Sequence, residues 1–253
     1  CQPDAAESSP GCECSVESLA SAFSGSGCPE GMARVADFCI DQYEASVWSD
    51  GACDGSGQQY GTSKIDDYPE SWPLNGQYSH SADALYACSI PAVPPSGWVT
   101  YFRAAAACAE SGKRLCSNAQ WQVAALGTPD SEEACPVNVP GPVQTDAYEP
   151  TCQSRWGVVQ MVGNMQEWTA DWVVNGIPWY DAATQASAGA AAVPAEWPAS
   201  AGVDDRSRGV NGNALSGVSP DLTFVNGSPS VWLRSGSYGQ GAHAGALYIN
   251  ANV

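Results

Sequence analysis

Positive charge is scarce in this sequence. Its 253 residues hold 9 Lys and Arg against 27 Asp and Glu, for a formal net charge of −18, and its pI is about 4.1. Such a protein is repelled by the phosphate backbone of nucleic acids and by anionic membrane surfaces. We therefore expect no nucleic-acid partner.

Long hydrophobic runs are missing as well, and no segment approaches the roughly 20 apolar residues of a membrane-spanning helix. The sequence begins with Cys1 and a polar stretch, which resembles a bacterial lipoprotein after removal of its signal peptide. Cys1 is therefore our lipidation candidate, and we expect an extracellular or outer-surface protein that a lipid alone holds to the membrane. Alternatively, Cys1 is an ordinary disulfide partner or merely the boundary of the sequence.

Zinc-binding patterns are also lacking. The 11 cysteines form no CxxC pair, and the two histidines, His80 and His243, lie far from any cysteine cluster. Disulfide bonds are the better explanation, and with Cys1 set aside the other ten cysteines can all pair. Cys108 and Cys116 flank a turn that a bridge between them would staple. The disulfide candidates are Cys108, Cys116, Cys135 and Cys152.

Composition divides the chain into two parts. Residues 1–27 are rich in Ser, Gly, Ala and acidic residues, which predicts a flexible stalk or lipoprotein linker. Residues 28–253 are expected to form one domain with a long loop-like insertion at about 175–230. Near-alternating apolar residues over 32–43 predict two short strands joined by a turn.

Two helices are predicted in the middle of the chain. Thr100 is a candidate N-cap before an alanine-rich segment, and Gly112 stands where that helix would end. Ser117 and Gln120 form a capping-box pattern for a second helix, which Gly127 would end.

Four sequence blocks follow one another in a recognisable order. They are FCIDQYEAS at 38–46, GKRLCSNAQWQVAA at 112–125, GVVQMVGNMQEWTADW at 157–172 and WLRSGSYGQGAHAG at 232–245. Together they resemble the formylglycine-generating enzyme family, whose fold is C-type-lectin-like. The resemblance implies an α+β, loop-rich fold, which here would be stapled by disulfides.

The third block suggests a metal site. Asn164 and Glu167 offer side-chain oxygens after Gly163, and calcium binding is implied by the family resemblance. The alternative is that both side chains hydrogen-bond within the core. Trp168 and Trp172, four residues apart, are expected to be buried anchors.

Catalysis is not expected. Family members that oxidise cysteine hold copper with a cysteine pair shortly after the fourth block, but no cysteine follows Cys152 here. Soft thiolates select copper(I), so no copper is expected. The family's final Gly-Phe-Arg strand is also lacking before Val253, which favours missing sequence beyond that residue.

The C-terminal segment LRSGSYGQGAHAGALYINAN also resembles the variable region of diversity-generating-retroelement proteins. Tyr offers a rigid amphipathic surface, and Asn and His adapt their hydrogen bonds. An ordinary glycine-rich loop is the alternative. The candidate ligand-binding residues are Tyr238, Gln240, His243, Tyr248, Asn250 and Asn252.

These observations favour a surface-displayed, adhesin-like or receptor-like protein that binds a protein or glycan. One alternative is a structural subunit of a self-assembling extracellular array. A second alternative is a metal-dependent oxidase of the same family.

Overall fold

The computed structural model describes residues 27–62, 67–72, 84–174, 207–210, 229–241, 244–246 and 249–252. The stalk with Cys1, and most of the insertion at 175–230, lie outside the described residues. In the described part, no helix is long and apolar enough to cross a membrane.

The described chain contains nine strands and two helices. The strands are β1 (Met32–Val35), β2 (Phe38–Asp41), β3 (Ser46–Trp48), β4 (Gln59–Tyr60), β5 (Tyr86–Cys88), β6 (Glu167–Val174), β7 (Ser207–Val210), β8 (Pro229–Arg234) and β9 (Ile249–Asn252). The helices are α1 (Tyr101–Glu110) and α2 (Asn118–Ala124).

The strands form three separate sheets. β1 pairs with β2, the order β4-β3-β5 makes a second sheet, and β6-β8-β9-β7 makes a third. All pairs are antiparallel except β7 with β9, which run parallel. The β1–β2 pair confirms the predicted strand pair, whereas β7 lies within the segment predicted to be loop-like. Its pairing with the distant β9 is a long-range contact that local composition does not reveal.

Both predicted helix starts are confirmed. Oγ1 of Thr100 accepts a hydrogen bond from the Arg103 amide at 3.3 Å, and the Ser117–Gln120 capping box forms in both directions, at 3.1 and 3.0 Å. Gly112 follows α1 with φ of +67°, a left-handed conformation that suits glycine after a helix.

The core around α2 is built on Trp121, which is fully buried with Val35 of β1 and with Val158 and Met161 of the loop before β6. α2 thereby packs against both the first strand pair and the segment that leads into the third sheet. Burying an indole together with aliphatic side chains stabilises this junction through the large apolar area removed from water.

Trp172 corrects the prediction of two buried tryptophan anchors. It lies on β6 and is 47% exposed. The register of β6 against β8 shifts between Trp168 and Trp172, so the strand does not place both rings equivalently in the core.

Among the described cysteines, three disulfides form: Cys28–Cys39, Cys53–Cys88 and Cys135–Cys152. Cys108 and Cys116 are both free thiols, so the prediction of a bridge between them is wrong. The carbonyl of Cys108 accepts from Lys113 N at 2.8 Å and that of Cys116 from Ala170 N at 2.8 Å, so separate hydrogen bonds hold the two backbones.

Peptide mapping of the native protein checks this pairing. After alkylation without reduction, we expect peptides joined through the three described bridges. Cys108 and Cys116 should be alkylated slowly in the native protein and fully after unfolding, because both are half-buried. A linked peptide containing both Cys108 and Cys116 would contradict the structure.

Candidate functional site

The side chain of Asn164 is the centre of a buried polar network. Its Nδ2 donates to Glu44 Oε2, and to Gln160 Oε1 at 2.8 Å. Its Oδ1 accepts from the Val143 amide at 2.9 Å. Asn164 is fully buried, so these bonds supply the partners that its amide would otherwise find in water.

The backbone at Gly163 and Asn164 has positive φ angles, which these two residue types tolerate better than most. Gly163 has φ of +83°, and a Cβ on it would lie 2.5 Å from the carbonyl oxygen of Pro136. Asn164 itself has φ of +51°, a region that asparagine enters more readily than most side chains. The Gly-Asn pair therefore lets the chain turn tightly against the 136–143 loop.

Two carboxyl groups lie in this region. Glu44 is buried, with Oε1 accepting from the Met165 amide at 3.0 Å, and Glu167 accepts from the indole N–H of Trp121. Burial raises the pKa of Glu44, and the nearby charge of Glu167 raises it further. Burial also raises the pKa of Glu167 to about 7, although Trp121 and Arg234 oppose this shift.

Arg234, at the end of β8, connects the network to α2. Its guanidinium carbon lies 4.4 Å from the ring centroid of Trp121, a cation–π arrangement. It also donates to Asn118 Oδ1 at 3.1 Å and to the Ala246 carbonyl at 2.7 Å. One arginine thus joins α2, β8 and the segment that follows the C-terminal turn.

The turn at residues 235–241 is attached directly to this network. The Tyr238 amide donates to the carbonyl of Asn164 at 2.8 Å, and the carbonyl of Tyr238 accepts from the Val139 amide at 2.8 Å. The Gly241 amide donates to the carbonyl of Val137 at 2.6 Å. The backbone of the turn is therefore held at three points by hydrogen bonds to the rest of the domain.

Two of the six predicted ligand-binding side chains can be placed. Tyr238 and Gln240 are half-buried on the turn, and Gln240 Oε1 accepts from the Ser237 amide at 2.6 Å. Gln240 therefore helps to shape the turn. His243 and Tyr248 lie outside the described residues, and only the backbones of Asn250 and Asn252 are described, on β9.

The two predicted calcium ligands are engaged by protein groups. Asn164 and Glu167 both accept hydrogen bonds through their oxygens, and no group of three or more His, Cys, Asp or Glu that could hold a metal occurs among the described residues. The geometry agrees with the alternative of internal hydrogen bonding. Calcium binding stays a prediction.

A cavity of about 490 Å³ lies beside the network, and its lining includes Glu44, Glu167, Cys108 and Cys116. Burial raises the pKa of Cys108 to about 12 and raises that of Cys116 as well. Both thiols are therefore protonated at neutral pH and are poor nucleophiles and poor metal ligands.

Sequence reasoning did not single out Glu44, Gln160 or Arg234 as site residues. All three stand inside the quoted family blocks, which was the available signal. That Gln160 and Glu44 both bond to Asn164 is decided only by the tertiary structure.

Asn164→Ala should lower the free energy of unfolding by about 3 kcal/mol, since it removes the partner of the Val143 amide and that of Glu44 Oε2 in a buried site. Urea unfolding measures the change. The matched control is Asn138→Ala, which removes an exposed amide that bonds Glu132 at 3.2 Å and should cost less than about 0.5 kcal/mol. Equal losses in the two variants would contradict the central role of Asn164.

Stability should fall as the pH rises from about 4.5 to 7. The folded-state pKa of Glu167 is raised from 4.5 to about 7, so the folded protein binds a proton more tightly than the unfolded chain and loses that advantage across this window. Melting temperature against pH measures the effect. Glu167→Gln should flatten the profile in this window, whereas Glu70→Gln, at an exposed position, should leave it unchanged.

Most of the chain matches a known protein family. The family model of the sulfatase-modifying factor enzyme 1-like domain (FGE-sulfatase) matches residues 13–176, starting inside the predicted stalk and ending before the C-terminal turn. No curated protein sequence matches.

Several solved structures are similar to the chain at low identity. The Major Tropism Determinant U1, I1 and P3c variants are 18%, 16% and 17% identical, with TM-scores of 0.46, 0.42 and 0.42. The alignments cover 88%, 88% and 89% of this chain but 48%, 48% and 49% of those proteins, so the chain spans about half their length. From the family match over most of its length, the chain belongs to the formylglycine-generating enzyme (sulfatase-modifying factor) family, with an α+β, C-type-lectin-like fold.

Proposed function

We propose that this domain binds a protein or glycan ligand through the surface of the 235–241 turn, and that it does not oxidise cysteine. The observation that carries the proposal is the double attachment of the Tyr238 backbone, to Asn164 on one side and to Val139 on the other, each at 2.8 Å. A backbone held in this way presents its side chain with little conformational entropy left to lose on binding.

A disulfide and a side-chain hydrogen bond also hold the turn in place. The loop that holds the turn through Val137 and Val139 begins at Cys135, which is bonded to Cys152, and Ser235 Oγ donates to the Gly163 carbonyl at 2.9 Å. Gly236 has φ of +87°, and a Cβ there would approach Ala244 to 2.6 Å. These contacts make the turn rigid. Binding proteins commonly carry their recognition residues on loops that a rigid scaffold positions in this way.

The chemistry of the thiols supports a role without catalysis. The sequence has no cysteine after Cys152, and Cys108 and Cys116 line a cavity in which burial raises their pKa. Thiolates are the form that binds copper(I), so the described free thiols are poorly suited to that metal.

We also propose an extracellular location, on the strength of the three described disulfides. Disulfides of this kind persist in oxidising compartments.

Binding is tested by probing arrays of secreted-protein ectodomains and of glycans with the labelled domain. For each partner found, Tyr238→Ala should weaken binding about tenfold or more, because central tyrosines dominate binding energies at recognition surfaces. The matched control is Tyr43→Ala, a half-buried tyrosine between β2 and β3. Partners that bind both variants equally well would contradict a site on this turn.

The absence of catalysis is checked in the same preparation. The copper-loaded domain is incubated with a cysteine-containing peptide, and the peptide mass is followed. Formation of an aldehyde would contradict the proposal.

A further inference from the structure

Four aromatic rings form a cluster where α1 meets β6. Tyr101 is at its centre, with ring centroids 5.4 Å from Phe102, 6.0 Å from Trp168 and 5.2 Å from Trp172, all edge-on. Phe102 and Trp172 are also 6.2 Å apart. The cluster is continuous and does not belong to the Asn164 network.

Two of these rings are open to solvent. Phe102 is 42% exposed and Trp172 is 47% exposed. Large neighbouring apolar side chains that remain exposed often mark a binding surface, because leaving them in water forgoes the free energy of burial.

Hydrogen bonds hold the rings in place. The indole N–H of Trp172 donates to the hydroxyl of Tyr101 at 3.1 Å, and that of Trp168 donates to the carbonyl of Val99 at 3.1 Å. The exposed faces are therefore oriented before binding, which lowers the entropy cost of stacking a ligand on them.

A cleft of about 680 Å³ continues from Tyr101 along α1 and α2. This volume lies within the range of small-molecule sites. Small side chains, such as those of Ala105 and Ala109, supply apolar lining, whereas Ser117 and Gln120 supply polar groups. The cleft lining is thus amphipathic, and Tyr101 belongs both to the cleft and to the aromatic cluster.

The charges that line the cleft nearly cancel. Lys113 is paired with Asp41 at 2.7 Å, and the remaining charged lining residues, Asp37 and Arg114, are exposed and of opposite sign. A strongly charged ligand finds no matching excess charge here, and an anionic one is also repelled by the net charge of −18. The lining is complementary to an uncharged ligand with many hydrogen-bonding groups.

We propose that the aromatic cluster and the adjoining cleft bind an uncharged oligosaccharide, at a site separate from the 235–241 turn. A pyranose ring matches this surface because its C–H face stacks on the electron-rich faces of Phe102 and Trp172. Its hydroxyl groups exchange hydrogen bonds with polar groups of the cleft, among them Asp37, Arg114 and Gln120. The extended groove suits several linked sugar units.

Isothermal titration calorimetry with cellohexaose, maltohexaose and chitohexaose tests the proposal. We expect at least one of them to bind the full chain and to change its tryptophan fluorescence, because Trp172 is in the contact. Trp172→Ala and Phe102→Ala should each weaken that binding roughly tenfold. Arg114→Ala should weaken it several-fold.

Two controls separate this site from the turn and from general loss of structure. Leu126→Ala removes another exposed apolar side chain, 49% exposed and outside the cleft lining, and should leave binding unchanged. Tyr238→Ala should also leave it unchanged. Melting temperatures of all variants show whether a loss of binding reflects unfolding.

Three results would overturn the inference. One is that none of the three oligosaccharides binds. That result would not affect the proposed function of the 235–241 turn, which the protein and glycan arrays test separately. Another is binding that Tyr238→Ala abolishes and Trp172→Ala does not, which would place the sugar on the turn. The last is concentration-dependent self-association that Trp172→Ala removes, without sugar binding, which would identify the cluster as a contact between copies.

Discussion

The hydrogen bonds of Asn164 connect the parts of the domain on which the rest depends. Its side chain donates to Glu44, in the β2–β3 connection, and accepts from the Val143 amide in the 136–143 loop. Its backbone carbonyl accepts from the Tyr238 amide in the C-terminal turn. Because the residue is fully buried, losing one of these bonds leaves a buried polar group without its protein partner, which is costly and couples the bonds to one another. The position of the C-terminal turn is a consequence of this set.

Around Asn164 the fold keeps two carboxyl groups away from water and close enough to interact. Their raised pKa values mean that, above the ordinary glutamate pKa of 4.5, the folded protein still holds protons that the unfolded chain has already released. In an enzyme such groups often carry chemistry. Here Asn164, Met165 and Trp121 donate hydrogen bonds to them, and each bond connects segments distant in sequence.

Predictions from sequence succeeded where the signal was local. The caps at Thr100 and Ser117 and the β1–β2 pair follow from residue types within a few positions of one another. Prediction failed where distant segments meet. The exposure of Trp172, the strand β7 and the unpaired thiols of Cys108 and Cys116 all depend on which segments pack beside them.

The sequence by itself determined the acidic character, the helix starts, the family and the lack of any cysteine after Cys152, because each can be read from residue identity and short-range order. Only the tertiary structure decided that Asn164 and Glu167 bond to protein groups, and that Tyr101, Phe102, Trp168 and Trp172 gather into one cluster. The physical reason is that burial and contact are properties of pairs of segments that meet only when the chain folds, here α1 with β6 and the β2–β3 connection with the Gly163–Asn164 turn.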